Sequence, residues 1–473
     1  MANKNTASTK NVLLWSMYDL ANTIFSMGIV SLTVVKFFTL LGMKQGLEWN
    51  IAFMLAQGAS AISTIIVAIT VPFMGALSDR SGTRKPWVLA LGLLCILFTG
   101  LVFFLPFFWI AFFLFMVANI TYQYGNLFYD SQIPHISSKN DMGRVSAIGV
   151  AIGYFGSFIA LALSMIVLPL LVGGHTLVDE AGNLQDPVTL AAVPPDQIVL
   201  GDFHWMWLAC AVAFFVTMIP YFFSWERTQR REAALSQIFR EAGAELVATI
   251  KDVVRYRDAL LFYIGWVLTV DVVNTIIVNM LPAAEDAFGM ATSKVFGLPE
   301  PQVVLLVGVC AAVFLTYFIG PAIDKRGPKL AFGIIGVAYL TALTIAMVAD
   351  VSAPGIFGPL SHILIYIMAI LVGGAMGSTW VAGRQMVIEL APEEKVGQYF
   401  GFQKFCGKGV SAIGAGVFGL VVAISFTLFG SVPLSYRFGF LSLALIYLAG
   451  LFFLMLVKSY HQRFLAGERA PYE

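Results

Sequence analysis

The sequence predicts an all-α membrane protein of about twelve transmembrane helices, built as two six-helix bundles related by a parallel pseudo-two-fold. Three observations predict it: a composition too apolar for water, apolar runs of membrane-crossing length, and polar motifs that occur twice at nearly one spacing. Of the 473 residues, 59% are hydrophobic and 12% charged, with a mean hydropathy of +0.84. A water-soluble chain of this size could not cover its surface with so few charges.

A span needs about 20 apolar residues to cross a hydrocarbon core of about 30 Å. Runs of that kind begin at Val12, Ile51, Pro86, Trp109, Val145 and His204 in the first half. In the second half they begin at Ala259, Val303, Leu330, Ser361, Tyr399 and Tyr436. Between the halves, Trp225 to Asp258 is rich in Arg, Glu and Ala, with Gly243 its only glycine and no proline. That composition reads as a surface helical linker. The expected organisation is an N-terminal bundle over 1–225, a linker over 226–258 and a C-terminal bundle over 259–473.

Lysine and arginine gather in the tails and in every second loop: Lys4 and Lys10, Arg80 to Lys85, Lys139 and Arg144, Arg227 to Arg257, Lys325 to Lys329, and Lys458 to Arg469. By the positive-inside rule both termini and the linker are cytoplasmic. The loop Gly173 to Phe203, with Asp179, Glu180, Asp186, Asp196 and Asp202, then faces outward. Met1 to Lys10 is polar and the run after it is too long for a cleavable signal, so the first helix is expected to stay as an anchor. Short termini and compact loops fit a multi-pass protein of a bacterial inner membrane. A net charge of +1 points to no nucleic acid. Cys95, Cys210, Cys310 and Cys406 all fall inside apolar spans and read as small buried hydrophobes, giving neither disulfides nor a metal set.

The repeat is visible in short motifs. Asp19-Leu-Ala-Asn22-Thr23 in the first span returns as Asp271-Val-Val-Asn274-Thr275 in the seventh. Gly75-Ala-Leu-Ser-Asp79-Arg80-Ser-Gly82 after the second span returns as Gly320-Pro-Ala-Ile-Asp324-Lys325-Arg326-Gly327 after the eighth. Two matches in register argue for parallel halves. A third, Val145-Ser-Ala-Ile-Gly149 and Val410-Ser-Ala-Ile-Gly414, has a longer offset and reads equally as a small-residue packing run.

Gly75-x-x-x-Asp79-Arg80-x-Gly82-x-Arg84-Lys85 resembles the loop signature of the major facilitator superfamily, and it lies between the second and third spans as in that family. A carboxylate and cations at a cytoplasmic helix junction can pair with one another and with helix ends, holding an inner gate closed. Asp79, Arg80, Arg84, Asp324 and Lys325 are the gating residues expected on that basis. The same charges would also serve to set topology and cap helices.

Charges within spans point to a pathway. Asp19 lies about 8 residues into its span, roughly 12 Å deep, and Asp271 about 12 residues in, roughly 18 Å, at about 1.5 Å per residue. A charge at such depth costs at least about 2.5 kcal/mol, so it normally faces a cavity or a partner. Tyr18 adjoins Asp19, and Asn22 and Thr23 follow it at i+3 and i+4, as Asn274 and Thr275 follow Asp271. Each set shares one helix face. Asn and Thr there could equally be glue between helices. Arg384 in the tenth span, with Lys404 and Lys408 in the eleventh, is expected to supply buried positive charge for Asp271 or for an anionic solute. Lys404 stands near enough to the cytoplasmic end to snorkel, and Lys36 at the outer end of the first span is expected only to snorkel. In the fourth span Asn119, Tyr122, Gln123, Asn126, Tyr129 and Asp130 form a stripe expected to point inward, with Asp130 able instead to cap the helix.

No zinc-protease, phosphate-loop or nucleophile-elbow pattern occurs, so the expectation is a transporter, not an enzyme, with no cofactor. Trp15-Ser-Met-Tyr18-Asp19-Leu-Ala21-Asn22-Thr23-x-Phe25 resembles the opening motif of the autophagy-related vacuolar effluxer family, also called the unknown major facilitator family. Arg144-Val-Ser-x-x-Gly149 with Gly153-Tyr154-x-Gly156, the Asp271 block, and Phe400-Gly401-Phe402 with Gly407-Lys408 resemble its later blocks. The chain departs from the family pattern at Leu20, Val272 and Gly383, where that pattern carries Trp, Gly and Ser.

The resemblance implies a major facilitator fold and a secondary transporter, proton-coupled if at all, with amino-acid efflux the activity of the vacuolar members. A second likeness is to the glycoside and cation symporter branch, through Asp79-Arg80, Arg84-Lys85-Pro86-Trp87 and Tyr18-Asp19, which would imply a sugar or lysolipid solute. A membrane receptor or scaffold that kept the fold without turnover is the reading from a different class. The favoured reading is alternating access by a monomer, with a small organic solute, protons and the bilayer as partners. Helices one, four, seven, ten and eleven are expected to line its cavity.

Overall fold

The computed structural model describes residues 8–80, 83–136, 142–172, 174–179, 181–186, 192–227, 247–248, 250–352, 356–392, 396–409 and 411–468. The chain divides into two compact units. One comprises Met1–Thr176 with Leu184–Ala244, and the other Leu177–Asn183 with Glu245–Glu473. Most of the expected linker, including Gly243, lies outside the described residues.

Among the described residues nine helices are long and apolar enough to cross a membrane, and Thr9–Ser31 with Val34–Lys44 makes a tenth, bent span. Shorter apolar helices, Glu300–Leu315 and Gly414–Phe429, stand where the eighth and eleventh spans are expected. Helix starts at Thr9, Trp49, Lys85, Phe108, Met142, Gly201, Arg257, Glu300, Pro328, Phe357, Val396 and Val432 fall just before the expected ones. The helices begin in the polar turns that flank each apolar run, where hydropathy alone sets no boundary.

Local chemistry explains several ends. Proline occupies the first turn of Lys85–Phe104, Glu300–Arg326, Pro328–Val348 and Val432–Leu456, where its missing N–H costs nothing. Gly327, at φ 85°, turns the chain between the eighth and ninth helices, a conformation that a side chain would oppose.

The first helix departs from a simple span. After Thr9–Ile24 it widens into a π-helix over Phe25–Ser31 and then restarts as Val34–Lys44 at a bend of 43°. Gly28 lets the π-helical segment lie close to the sixth helix, because a Cβ there would collide with Cys210 Sγ. The seventh helix, Arg257–Pro282, likewise passes into a π-helix over Ala283–Ala287, directly after the proline that interrupts its hydrogen-bond ladder. Such turns are concentrated at functional segments of helices.

Each unit has its own aromatic core. In the N-terminal unit Phe37, Phe38, Phe108, Phe115 and Trp207 meet edge to face or tilted. In the C-terminal unit Trp266 meets Phe332 and Trp380, and Tyr339 meets Tyr447. Large apolar side chains are left outside, Leu170 at 82% and Leu171 at 76% exposure among them. Lipid is the solvent for which that surface is built.

Candidate functional site

In the N-terminal unit the residues of interest sit where the first helix crosses the fourth and fifth. Trp15 stacks on Tyr129 with ring centroids 4.3 Å apart and planes at 8°. Tyr18 is fully buried between Tyr129 and Tyr221. One turn on from Trp15, Asp19 is half-buried. Asn22 is buried and its Nδ2 donates to Asn126 Oδ1 in a short hydrogen bond between the first and fourth helices. Thr23 spends its hydroxyl on its own helix, donating to the Asp19 carbonyl at 2.7 Å. Asn22 and Asn126 thus join helices, and Thr23 does not.

The fifth helix approaches through glycines. A Cβ on Gly149 would stand 3.0 Å from the Trp15 ring, and one on Gly153 would stand 2.7 Å from Asp19 Oδ2. One on Gly156 would collide with the Leu20 carbonyl. The glycines therefore let the first helix lie directly against the fifth, with the Asp19 carboxylate in the seam.

The fourth-helix stripe is divided rather than pointing one way. Asn119 donates to Ser63 Oγ at 2.7 Å and Gln123 to Thr64 Oγ1 at 3.4 Å, both on the second helix. Asn126 and Tyr129 turn to the first helix instead. A helix of 23 residues packed between two neighbours must split its polar face between them, which the stripe alone could not reveal. Asp130 is exposed at the last position of that helix.

In the C-terminal unit Asp271 lies mid-way along the seventh helix and is 2% exposed. Its Oδ1 has no hydrogen-bond partner among the described residues. Gly414 of the eleventh helix covers it: a Cβ there would stand 2.6 Å from Oδ2, 2.7 Å from Cγ and 2.8 Å from Oδ1. Thr275 again donates to its own helix, at the Asp271 carbonyl, and Asn279 donates to the Thr275 carbonyl. Asn274 is half-buried on the same turn. Neither Asp19 nor Asp271 belongs to a described ion pair.

The cationic expectations fare differently. Arg384 is exposed rather than buried, because it lies within the last two turns of Phe357–Leu390. The side chains of Lys404 and Lys408 lie outside what the structure describes, as do those of the gating residues Asp79, Arg80, Asp324 and Lys325. Lys36 is 3% exposed, so it does not snorkel. Its helix, Val34–Lys44, follows the 43° bend and is buried from Val34 to Met43.

Arg84, the remaining gating residue, is buried and joined to a residue that the sequence did not single out. Glu226, after the sixth helix, accepts from the Arg84 N–H at 2.7 Å, the Lys85 N–H at 2.8 Å and Gln132 Nε2 at 2.7 Å. Lys85 Nζ donates to the carbonyls of Phe222 and Ser224. Glu226 thus caps the third helix, where free N–H groups and the helix dipole favour an anion. Three of the five histidines also find carboxylates: His175 with Asp202, His362 with Glu300, and His461 with Glu389, at 2.7, 2.9 and 2.7 Å. Among the described residues no group of histidine, cysteine and acidic side chains could hold a metal.

The arrangement matches known proteins at two levels. The sequence pattern of the family described as vacuole effluxer Atg22 like fits residues 7–464. An uncharacterized MFS-type transporter of Bacillus subtilis (strain 168), YxiO, is 23% identical over 424 residues, covering 89% of this chain and 90% of that protein. An uncharacterized protein of Aquifex aeolicus (strain VF5) is 24% identical over 407 residues, covering 85% and 86%. Among solved structures, the nucleoside transporter NupG superposes with a TM-score of 0.66 at 14% identity, over 94% of this chain and 98% of that one. A D-xylose–proton symporter gives 0.61 at 15% identity, over 94% and 96%. At such identities the structural likeness speaks for the fold.

Proposed function

The chain belongs to the vacuole effluxer Atg22-like family, a secondary transporter of the major facilitator type, and from that premise we propose that it moves an amino acid or other small organic anion by alternating access coupled to protons. The observation that carries this reading is the pair of repeated carboxylates. Asp19 and Asp271 each lie in a helix seam of their own unit, outside any described ion pair. An intramembrane carboxylate is costly to keep and marks a pathway or a proton relay. In this reading both exchange protons during the cycle, and Arg384, exposed at its helix end, engages the anionic group of the solute.

Tyr18, Asn22, Asn126 and Asn274 hold the two seams in shape, and Lys404, Lys408 and Asp130 complete the charged set around the solute. Asp79, Arg80, Arg84, Asp324 and Lys325 act at the cytoplasmic gates. In this reading both termini face the cytoplasm of a bacterial cell, an orientation that the distribution of Lys and Arg favours. The protein works as a monomer, residues 226–258 linking its two bundles.

The test is uptake into proteoliposomes under an imposed pH gradient, with Asp19→Asn and Asp271→Asn beside the unaltered protein. Loss of gradient-driven accumulation in the variants supports the assignment. Unchanged accumulation in both, with unchanged pH dependence, removes it.

A further inference from the structure

Both carboxylates rest against a glycine of a neighbouring helix, and the two contacts are equivalent in the repeat. The first helix packs on the fifth, and the seventh on the eleventh. At Gly153 an added Cβ would stand 2.7 Å from Asp19 Oδ2 and 3.2 Å from its Cγ. At Gly414 all three atoms of the Asp271 carboxylate would lie within 2.8 Å. Real Cβ atoms do not approach so closely, so each carboxylate occupies space that any other residue would fill. Gly149 and Gly156, on either side of Gly153, are covered by Trp15 and Leu20 instead, and other helical glycines are open. Gly416, half a turn further along the eleventh helix, has nothing within 4 Å of its Cβ position, and neither has Gly58.

The third sequence repeat takes its meaning from this contact. Val145-Ser-Ala-Ile-Gly149 and Val410-Ser-Ala-Ile-Gly414 match in sequence, yet Gly149 meets Trp15 and Gly414 meets Asp271. The glycine that meets the carboxylate in the N-terminal unit is Gly153, one turn beyond the matching position. Each unit thus has a glycine against its carboxylate, four residues from the sequence match in the N-terminal unit.

We propose that Gly153 and Gly414 are positioning residues that seat the Asp19 and Asp271 carboxylates against the helix backbone. The proposal rests on the reading of both aspartates as coupling groups. The seat matters because a carboxylate standing alone at a helix seam has one face against the backbone and offers the other to its exchange partner. Alanine at position 414 pushes the carboxylate off the seat while leaving its chemistry intact. A displacement of about 1 Å in a working group costs on the order of 100-fold in rate.

The experiment is infrared difference spectroscopy of the purified full chain in lipid nanodiscs, with transport measured in parallel. The band of the Asp271 carboxyl group is identified by its absence from Asp271→Asn. The expected result is a shifted band in Gly414→Ala, an unshifted one in Gly416→Ala, and a fall in flux of about tenfold or more in the first variant only. Bands that coincide in Gly414→Ala and the unaltered protein, or that shift equally in both alanine variants, overturn the proposal. Should Gly414→Ala fail to give monodisperse protein, Gly153→Ala with Gly58→Ala as its control makes the same comparison on the Asp19 band. Normal flux by Asp271→Asn would instead sink the coupling role, and the band comparison would stand apart from it.

Discussion

The Asp271 carboxylate lies flat against Gly414, with Oδ1 and Oδ2 2.8 and 2.6 Å from where a Cβ would be. A group so placed has room only because its neighbour carries no side chain, and its Oδ1 has no hydrogen-bond partner among the described residues. The same relation between Asp19 and Gly153 in the other unit makes the contact part of the repeat.

The Trp15–Tyr129 stack fixes the first helix on the fourth immediately beside Asp19. Truncating a buried aromatic side chain of this size costs about 3 kcal/mol or more. Trp15→Ala is therefore expected to lower the thermal unfolding midpoint of the purified protein clearly, and Trp15→Phe much less. A midpoint unaffected by Trp15→Ala would show that the stack carries no weight.

Asn22 and Asn126 are expected to be coupled. Hydrogen bonds between membrane helices contribute about 0.6 kcal/mol on average. In a double-mutant cycle of Asn22→Ala and Asn126→Ala, the second change should cost less than the first. Strict additivity in denaturation curves would speak against the bond.

Glu226 satisfies two N–H groups at the start of the third helix, together with Gln132. Its removal leaves those donors buried, at about 1–3 kcal/mol. Glu226→Ala should lower stability by that order, and Glu226→Asp should restore only part of it, because the shorter side chain reaches fewer donors. Equal stability of Glu226→Ala and the unaltered protein would remove the capping role.

Arg384 separates a structural from a functional role. It is exposed and in no described ion pair, so Arg384→Ala should change stability by less than about 0.5 kcal/mol. Solute flux should nevertheless fall. A variant with unaltered flux and unaltered apparent affinity would show that another group receives the anion.

Much of this was legible in the sequence, because a membrane imposes its pattern strongly. The helix starts were readable from apolar length, and the Asp19 and Asp271 blocks from their repetition. What was hidden depends on helix rotation or on distant pairing. Lys36 was misplaced because counting along a span gives depth along the axis but says nothing of a π-helical bend just before it. Arg384 was expected to be buried because it follows a long apolar run, and its place within the last two turns of Phe357–Leu390 shows only once the helix end is known. Glu226 escaped notice because its partners lie 141 and 142 positions away. Gly153 was visible only as part of a block resembling the family and Gly414 only as a member of a small-residue run, and their contact appears when the facing carboxylate is known.

The most direct test of the central claim is gradient-driven accumulation of a mixture of radiolabelled amino acids by proteoliposomes, compared between the unaltered protein and the double variant Asp19→Asn with Asp271→Asn. The account predicts accumulation that follows the imposed pH gradient in the first and none in the second, with both proteins equally folded. Accumulation by the double variant equal to that of the unaltered protein would contradict it.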